Sequence, residues 1–180
     1  MSKKSLYILI GFLIIPYHVS AIQSSAEKSI PLSAIFVAPP CNVSIDNGNE
    51  TKIIELGDIT FGEKSHPPFT LSVDCKYSRG SSVYAEVVQG SLSQGGKNKI
   101  NMQDAQTGTE TPVQIFLREG SQPEGIEYDT SSGSDPDVQF CKGDSTRVCT
   151  LTPVTSVRAD AGVRAGLQLI TSVRFTIVNP

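Results

Sequence analysis

The chain of 180 residues contains no tryptophan and only two histidines. His18 lies in an apolar N-terminal stretch, so a Ser-His-Asp or Cys-His catalytic arrangement would depend on His66. His66 stands in "KSHPPF", where two prolines predict a rigid exposed turn. No G-x-S-x-G elbow, P-loop or H-E-x-x-H motif occurs either. The sequence therefore predicts a protein that is not an enzyme and needs no cofactor.

An excess of positive charge is also lacking. The chain has 15 Lys and Arg residues against 18 Asp and Glu residues, which gives a net charge of −3. The sequence contains no cluster of basic residues. Nucleic acid and anionic membrane surfaces are therefore not expected as partners.

Long apolar runs are absent after the first residues. Leu6 to Ile15 form one apolar run, two lysines precede it, and small residues at positions 19 and 21 fit a cleavage site after Ala21. This run is too short for a membrane helix, which needs about 20 apolar residues. Residues 1–21 are therefore predicted to be a cleaved signal peptide, and residues 22–180 to be an exported protein of single-domain size.

Metal-ligand spacings are missing as well. The four cysteines do not form a C-x-x-C pair, so zinc is a weak alternative to disulfide bonds. An even number of cysteines in an exported chain predicts disulfides, with three possible connectivities. Order along the chain favours Cys41–Cys75 and Cys141–Cys149. The second pair encloses "KGDSTRV", which we expect to be a pinned hairpin.

Candidates for other ligands are few. Asp135 and Asp137 are paired carboxylates in a Ser- and Gly-rich loop, where solvation is expected and calcium would have too few ligands. Tyr128 is the one loop tyrosine that could stack on a sugar, although a partly buried or rim position is favoured over that role. No metal or cofactor site is predicted.

Apolar residues recur with a period of two almost throughout the chain, as in half-buried strands. Turn signals rich in Gly, Pro, Asn and Asp separate these stretches, and no long amphipathic helix is predicted. The pattern favours an all-β sandwich. The predicted strands are Ile30–Ala38, Asn42–Ile45, Lys52–Ile59, Phe69–Lys76, Ser82–Gln89, Pro112–Glu119, Val148–Val157 and Ser172–Val178.

The two ends of the chain carry complementary patterns. Near the start, one face of a predicted strand is an apolar line of four residues, which are Ile30, Leu32, Ala34 and Phe36. The last predicted strand places Val173, Phe175 and Ile177 on one face. An immunoglobulin-like sandwich normally has one more strand after it, so we expect an open groove in the core. The N-terminal strand could close its own domain, or it could complete the sheet of another copy or a related subunit.

The stretch "VAPPCNVSIDNGNETKIIELGDITFG", residues 37–62, resembles the "PPC-x-(I/V)-NNG" region of chaperone–usher pilus subunits, in particular minor, tip-proximal pilins. Cys75 in "FTLSVDC" stands where that family has its second disulfide cysteine. Gly166 and the following "SVRFTIV" are similar to the family's final strand. The resemblance covers essentially the whole chain after the signal peptide.

The resemblance implies an incomplete immunoglobulin-like β-sandwich that lacks its final strand and is completed by donor-strand addition. Residues 22–38 would be the N-terminal extension and residues 39–180 the pilin domain. The apolar line of Ile30, Leu32, Ala34 and Phe36 would be the donor strand, and Val173, Phe175 and Ile177 would border the acceptor groove and contact the chaperone.

The implied partners are a periplasmic pilus chaperone, an outer-membrane usher and neighbouring pilus subunits. The protein would pass through the periplasm to the cell surface as part of a fimbrium. The leading hypothesis is a structural minor subunit or adaptor that supports adhesion. The alternative is a fimbrial adhesin that binds a host carbohydrate or receptor.

Overall fold

Eleven β-strands and one short 3-10 helix form the part of the protein that a computed structural model describes, residues 40–159 and 161–179. The predicted signal peptide, the predicted strand Ile30–Ala38 and its four donor residues lie outside that part. The described residues belong to the second of two compact units, Val37–Pro180. The strands are β1 Asn42–Ile45, β2 Gly62–Ser65, β3 Phe69–Asp74, β4 Ser81–Gln89, β5 Ser91–Leu92, β6 Ile100–Asp104, β7 Glu110–Glu119, β8 Phe140–Gly143, β9 Arg147–Val157, β10 Leu169–Ile170 and β11 Ser172–Val178; the 3-10 helix is Pro136–Val138.

The strands form two antiparallel sheets. The larger has the order β1-β3-β9-β7-β6-β10, and β2 and β5 pair with β9 and β6. The smaller has the order β11-β4-β8. Because β2 and β3 pair with successive parts of β9, the two prolines of "SHPP" fall between them, where no ladder hydrogen bond is needed.

The core lies between the inner faces of these sheets. Period-two alternation buries one face of each long strand, for example Leu71 and Val73 on β3 and Val113 and Ile115 on β7. Val83 and Ala85 of β4 belong to the same core cluster, which links the smaller sheet to the larger one. The prediction of an all-β, immunoglobulin-like sandwich is confirmed by this architecture together with the structural comparisons reported below.

Both disulfides join the cysteines that order along the chain favours. Cys41–Cys75 closes the end of the β1–β3 ladder, with the two Cα atoms 4.3 Å apart. Cys141–Cys149 connects the two sheets, because β8 belongs to the smaller sheet and β9 to the larger one. The hairpin expected around "KGDSTRV" is wrong: β8 pairs with β4 instead of with β9.

Candidate functional site

No described strand pairs with one of the two edges of β11. Its other edge pairs with β4 in register from Ser172↔Gln89 to Val178↔Ser82, with one irregularity at Ser172/Val173. A strand of seven residues therefore presents backbone N–H and C=O groups that the described part of the protein leaves without a neighbouring strand. Such an edge is a template for pairing with an added strand.

An apolar groove of about 1280 Å³ adjoins this strand. Its floor comes from the inner face of the larger sheet, including Ile100, Met102, Val113 and Ile115. Residues 163–173 and Phe175 also line it, as do residues 52–61; we refer to this cavity as the groove and to residues 52–61 as the facing segment. The groove is large enough for several apolar side chains at once.

The facing segment is not the strand that the sequence predicts for Lys52–Ile59. No described strand pairs with it, and Gly57 has a φ of 63°, which interrupts an extended backbone. Its side chains nevertheless behave as the alternation predicts in part: Ile54 and Leu56 pack against the core, whereas Ile53 is 90% exposed. Residues 52–59 have the alternation of a strand, but no described strand pairs with them, so the facing segment lies unpaired beside the groove.

Side chains, instead of a sheet ladder, hold the facing segment in place. Lys52 bonds to the carboxylate of Asp46, and this contact lowers the pKa of Asp46. The ammonium group of Lys64 donates to the backbone carbonyl of Asp58 at 2.5 Å. The segment is thus tied to the turn after β1 and to the region around β2.

His66 is buried, so the prediction of an exposed position is wrong for this residue, although Pro67 and Pro68 beside it are exposed. The histidine Nε2 lies 2.8 Å from the hydroxyl of Thr155. Burial lowers the pKa of His66, and the nearby charge of Lys64 acts in the same direction. A buried histidine that is bonded to β9 has a structural role.

The inward residues predicted on β11 are all half-buried against the core. Val173 and Phe175 line the groove, whereas Ile177 does not. The Phe175 ring packs near Phe69 and Phe140, with ring centroids 5.9 and 6.3 Å away. β11 thus contributes both to the core and to one side of the groove.

Tyr128 lies in the floor of the groove and is fully buried, so it cannot stack on an external sugar. No hydrogen bond joins its hydroxyl to another described residue. Burial raises the pKa of this phenol. The sequence places Tyr128 in a loop but gives no indication that this loop carries the ring beneath a groove.

Other candidate sites have ordinary explanations. Asp135 caps the 3-10 helix by accepting a hydrogen bond from the backbone of Asp137 at 3.0 Å. Glu119, Cys141 and Cys149 bring potential metal ligands together, but the two sulfurs are joined in a disulfide and are not thiolates.

A second, polar cleft of about 660 Å³ lies elsewhere on the larger sheet. Its apolar base is Phe116, which is buried beneath the charged groups of Lys99 and Arg118, each 5.0 Å from the ring centroid. Glu63 accepts a hydrogen bond from Arg118 at 3.0 Å. The charges of this cleft are therefore largely paired, and no open aromatic face is offered to a sugar.

Comparison with known proteins gives fold-level matches alone. No family profile and no curated protein sequence matches the chain. Among solved structures, it is similar to the P pilus rod subunit PapA, with 14% identity and a TM-score of 0.55 over 79% of this chain and 100% of that one. It is similar to a chain in the structure of a chaperone–usher pilus, with 13% identity and a TM-score of 0.52 over 87% and 97% of the two chains. The P pilus adaptor subunit PapF covers 80% of this chain and 98% of its own length, with 20% identity and a TM-score of 0.44.

The first two matches establish the fold class: the protein has the incomplete immunoglobulin-like sandwich of pilus subunits. The resemblance predicted from residues 37–62 and from the last strand is confirmed at this level. No helix among the described residues is long and apolar enough to cross a membrane.

Proposed function

We propose that this protein is a structural, non-catalytic subunit of a surface pilus assembled by the chaperone–usher route. The observation that carries the proposal is the unpaired edge of β11 beside an apolar groove of about 1280 Å³. The fold shared with PapA supports it. An added strand would form hydrogen bonds with the unpaired backbone groups of β11, and the side chains of that strand would fill the groove.

The donor would be the N-terminal extension of a neighbouring subunit, and this chain would lend its own extension in turn. Ile30 to Phe36 spans seven residues, the same number as Ser172–Val178 of β11, so both strands would extend about 20 Å. Burying each large apolar side chain of that line would contribute on the order of 1.5–3 kcal/mol. The contact is head-to-tail and does not close on itself, so repetition produces a fibre.

Before assembly, another protein would have to bind in the groove and shield it from solvent. A contiguous apolar groove beside an open strand edge promotes aggregation. A periplasmic chaperone that lends a strand, followed by exchange at an outer-membrane usher, solves this problem. Export through the periplasm to the cell surface is part of the same proposal, as is a minor or adaptor position that supports adhesion.

Two neighbouring positions on β11 provide a matched test. Val173 faces the groove, whereas Arg174 is exposed on the other side of the strand. Val173→Asp should abolish recovery of the protein in complex with a co-expressed chaperone, and Arg174→Gln, which puts no second negative charge beside Glu86, should leave recovery unchanged. Equal recovery of both variants, or a stable soluble monomer without any chaperone, would contradict the proposal.

The donor role is tested separately. Phe36→Asp should leave the chaperone complex intact, because the groove is unchanged, but should block insertion into the preceding subunit. Assembly of normal fibres by this variant, as measured by electron microscopy, would exclude residue 36 from the donor contact.

A further inference from the structure

Large apolar side chains are exposed near the two opposite ends of strand β4. Tyr77 lies four residues before the strand and is 49% exposed. Val88 lies near the other end and is 53% exposed. The strand Ser81–Gln89 is about 26 Å long at the rise of an extended chain, so the two residues belong to different ends of the domain. A head-to-tail contact between subunits joins two such different surfaces.

A second exposed apolar residue accompanies Val88. Gln89 pairs with Ser172 at the start of β11, and Val88 is one residue away from this pair. Ile170 of β10 is two residues away from it and is 37% exposed. We refer to Val88 and Ile170 as the receiving end. Both side chains lie where the groove strand β11 begins.

The loop that carries Tyr77 is joined covalently to the start of the described domain. Cys75 is disulfide-bonded to Cys41, with the two Cα atoms 4.3 Å apart. Tyr77 is two residues further on, so its Cα atom lies within about 12 Å of that of Cys41. The backbone N–H of Arg79 donates to the Asp144 carbonyl at 2.8 Å and holds the other end of the loop. A contact through Tyr77 therefore orders little additional chain.

The connection from the predicted donor line to the domain is short. Only residues 37–40 separate Phe36 from Cys41, and this connection spans at most about 18 Å when fully extended. Two of these four residues are prolines, which restrict it further. A subunit that holds the donor line must therefore lie close to the end of the domain that carries Tyr77.

The polarity of the added strand decides which part of the receiving subunit comes near Tyr77. Every ladder between described strands is antiparallel, so we expect the added strand to run antiparallel to β11. Phe36, the last residue of the donor line, then lies beside Ser172 of the receiving subunit and not beside Val178. Ser172 adjoins the receiving end.

We propose that Tyr77 makes a second contact between neighbouring subunits, separate from the strand in the groove: its ring packs on the receiving end of a second copy of this chain. Tyrosine suits this role because it buries a large area with few rotatable bonds. The inference rests on the proposed function of the groove. It implies that a whole subunit binds its neighbour more tightly than its isolated extension does.

Photo-crosslinking of the full chain tests the contact. Tyr77→benzoylphenylalanine should give a covalent dimer in which the label is attached to residues 167–172 or to the segment around Val88 of the second copy. Ser134→benzoylphenylalanine is the control, since Ser134 is exposed on the loop beside Tyr84, and it should give no dimer. Equal yields at the two positions, or attachment to any other segment, would overturn the proposal.

The crosslink should also depend on the extension. Phe36→Asp, which blocks insertion of the donor line, should abolish the dimer formed by the label at position 77. A dimer that persists in this variant would show that the label reports association unrelated to the strand, and would overturn the proposal.

Tyr77→Ser measures what the contact contributes. In analytical ultracentrifugation, association of two full chains should weaken about five- to thirtyfold, as for a contact residue at the centre of an interface. A fluorescent peptide of residues 29–38 should bind the variant and the original protein equally, because Tyr77 does not line the groove. Ser134→Ala should change either affinity by less than about twofold. Unchanged association of Tyr77→Ser would overturn the proposal.

Failure of the inference and failure of the proposed function give different results. If the original protein captures the peptide, but full chains associate no more tightly than the peptide binds, the role of Tyr77 is overturned and the groove function stands. If the original protein captures no peptide, the groove function itself is overturned, and the role of Tyr77 with it.

Discussion

The backbone N–H of Cys41 donates a hydrogen bond to the side-chain oxygen of Asn179 at 2.8 Å, although 138 residues separate them. The Asn179 side chain also donates to the Cys41 carbonyl, at 3.4 Å. This clasp joins the residue just before β1 to the residue just after β11. These hydrogen bonds hold the C-terminal end of β11 close to the start of β1.

Removal of the clasp should loosen β11. Asn179→Ala should lower the free energy of unfolding by about 1 kcal/mol, the net contribution of a typical hydrogen bond. Urea unfolding measures the difference. Asn98→Ala, which removes one exposed bond to the Glu124 carbonyl, is the control and should cost less. A loss for Asn179→Ala no larger than that of the control would show that the clasp does not hold the strand.

The two disulfides should contribute unequally. Cys41–Cys75 links residues 34 apart and Cys141–Cys149 residues 8 apart. Loop-closure entropy assigns about 4 kcal/mol to the longer loop and about 2.5 kcal/mol to the shorter one. Paired Cys→Ser variants compared by urea unfolding should keep this order. If loss of Cys141–Cys149 lowered the free energy of unfolding more than loss of Cys41–Cys75, the link between the two sheets would contribute more to stability than the closure of the longer loop.

His66 should make stability depend on pH between 5 and 7. Burial lowers its pKa below the ordinary 6.5, so the unfolded chain binds a proton more readily than the folded protein. Stability is therefore full at pH 7.5 and is lost as the pH falls through the ordinary histidine range. Asp46 has a pKa below its ordinary 3.8, so its contribution is lost only at more acidic pH.

His66→Gln removes the titrating group and can keep the bond to Thr155. In urea unfolding at pH 5, 6 and 7.5, this variant should show a flatter pH dependence than the original protein. An unchanged slope would assign the pH dependence to other groups.

The long strands could be predicted from the sequence because their alternation is strong and each of them pairs with at least one other strand. The predicted Ser82–Gln89 and Ser172–Val178 agree with β4 and β11 to within one residue. The short β6 was not predicted, although Ile100 and Met102 alternate and both lie in the groove floor.

Tertiary pairing explains the remaining differences. Lys52–Ile59 has a strand pattern, but a pattern cannot tell whether a partner strand is available, and none of the described strands pairs with it. β8 lies next to β9 in the chain and could have formed a hairpin with it; its ladder with β4 depends on a contact about 60 residues away in sequence. The burial of Tyr128 likewise depends on packing that no local pattern records.

Amide hydrogen exchange of β11 tests the central claim most directly. The full chain is measured by mass spectrometry with and without a peptide of residues 29–38. The account predicts that exchange in the segment 172–178 slows at least about tenfold when the peptide is present, whereas β8, at the far edge of the same sheet, is unchanged. Identical exchange of β11 in both samples, at peptide concentrations in large excess, would contradict the conclusion that its open edge receives a strand.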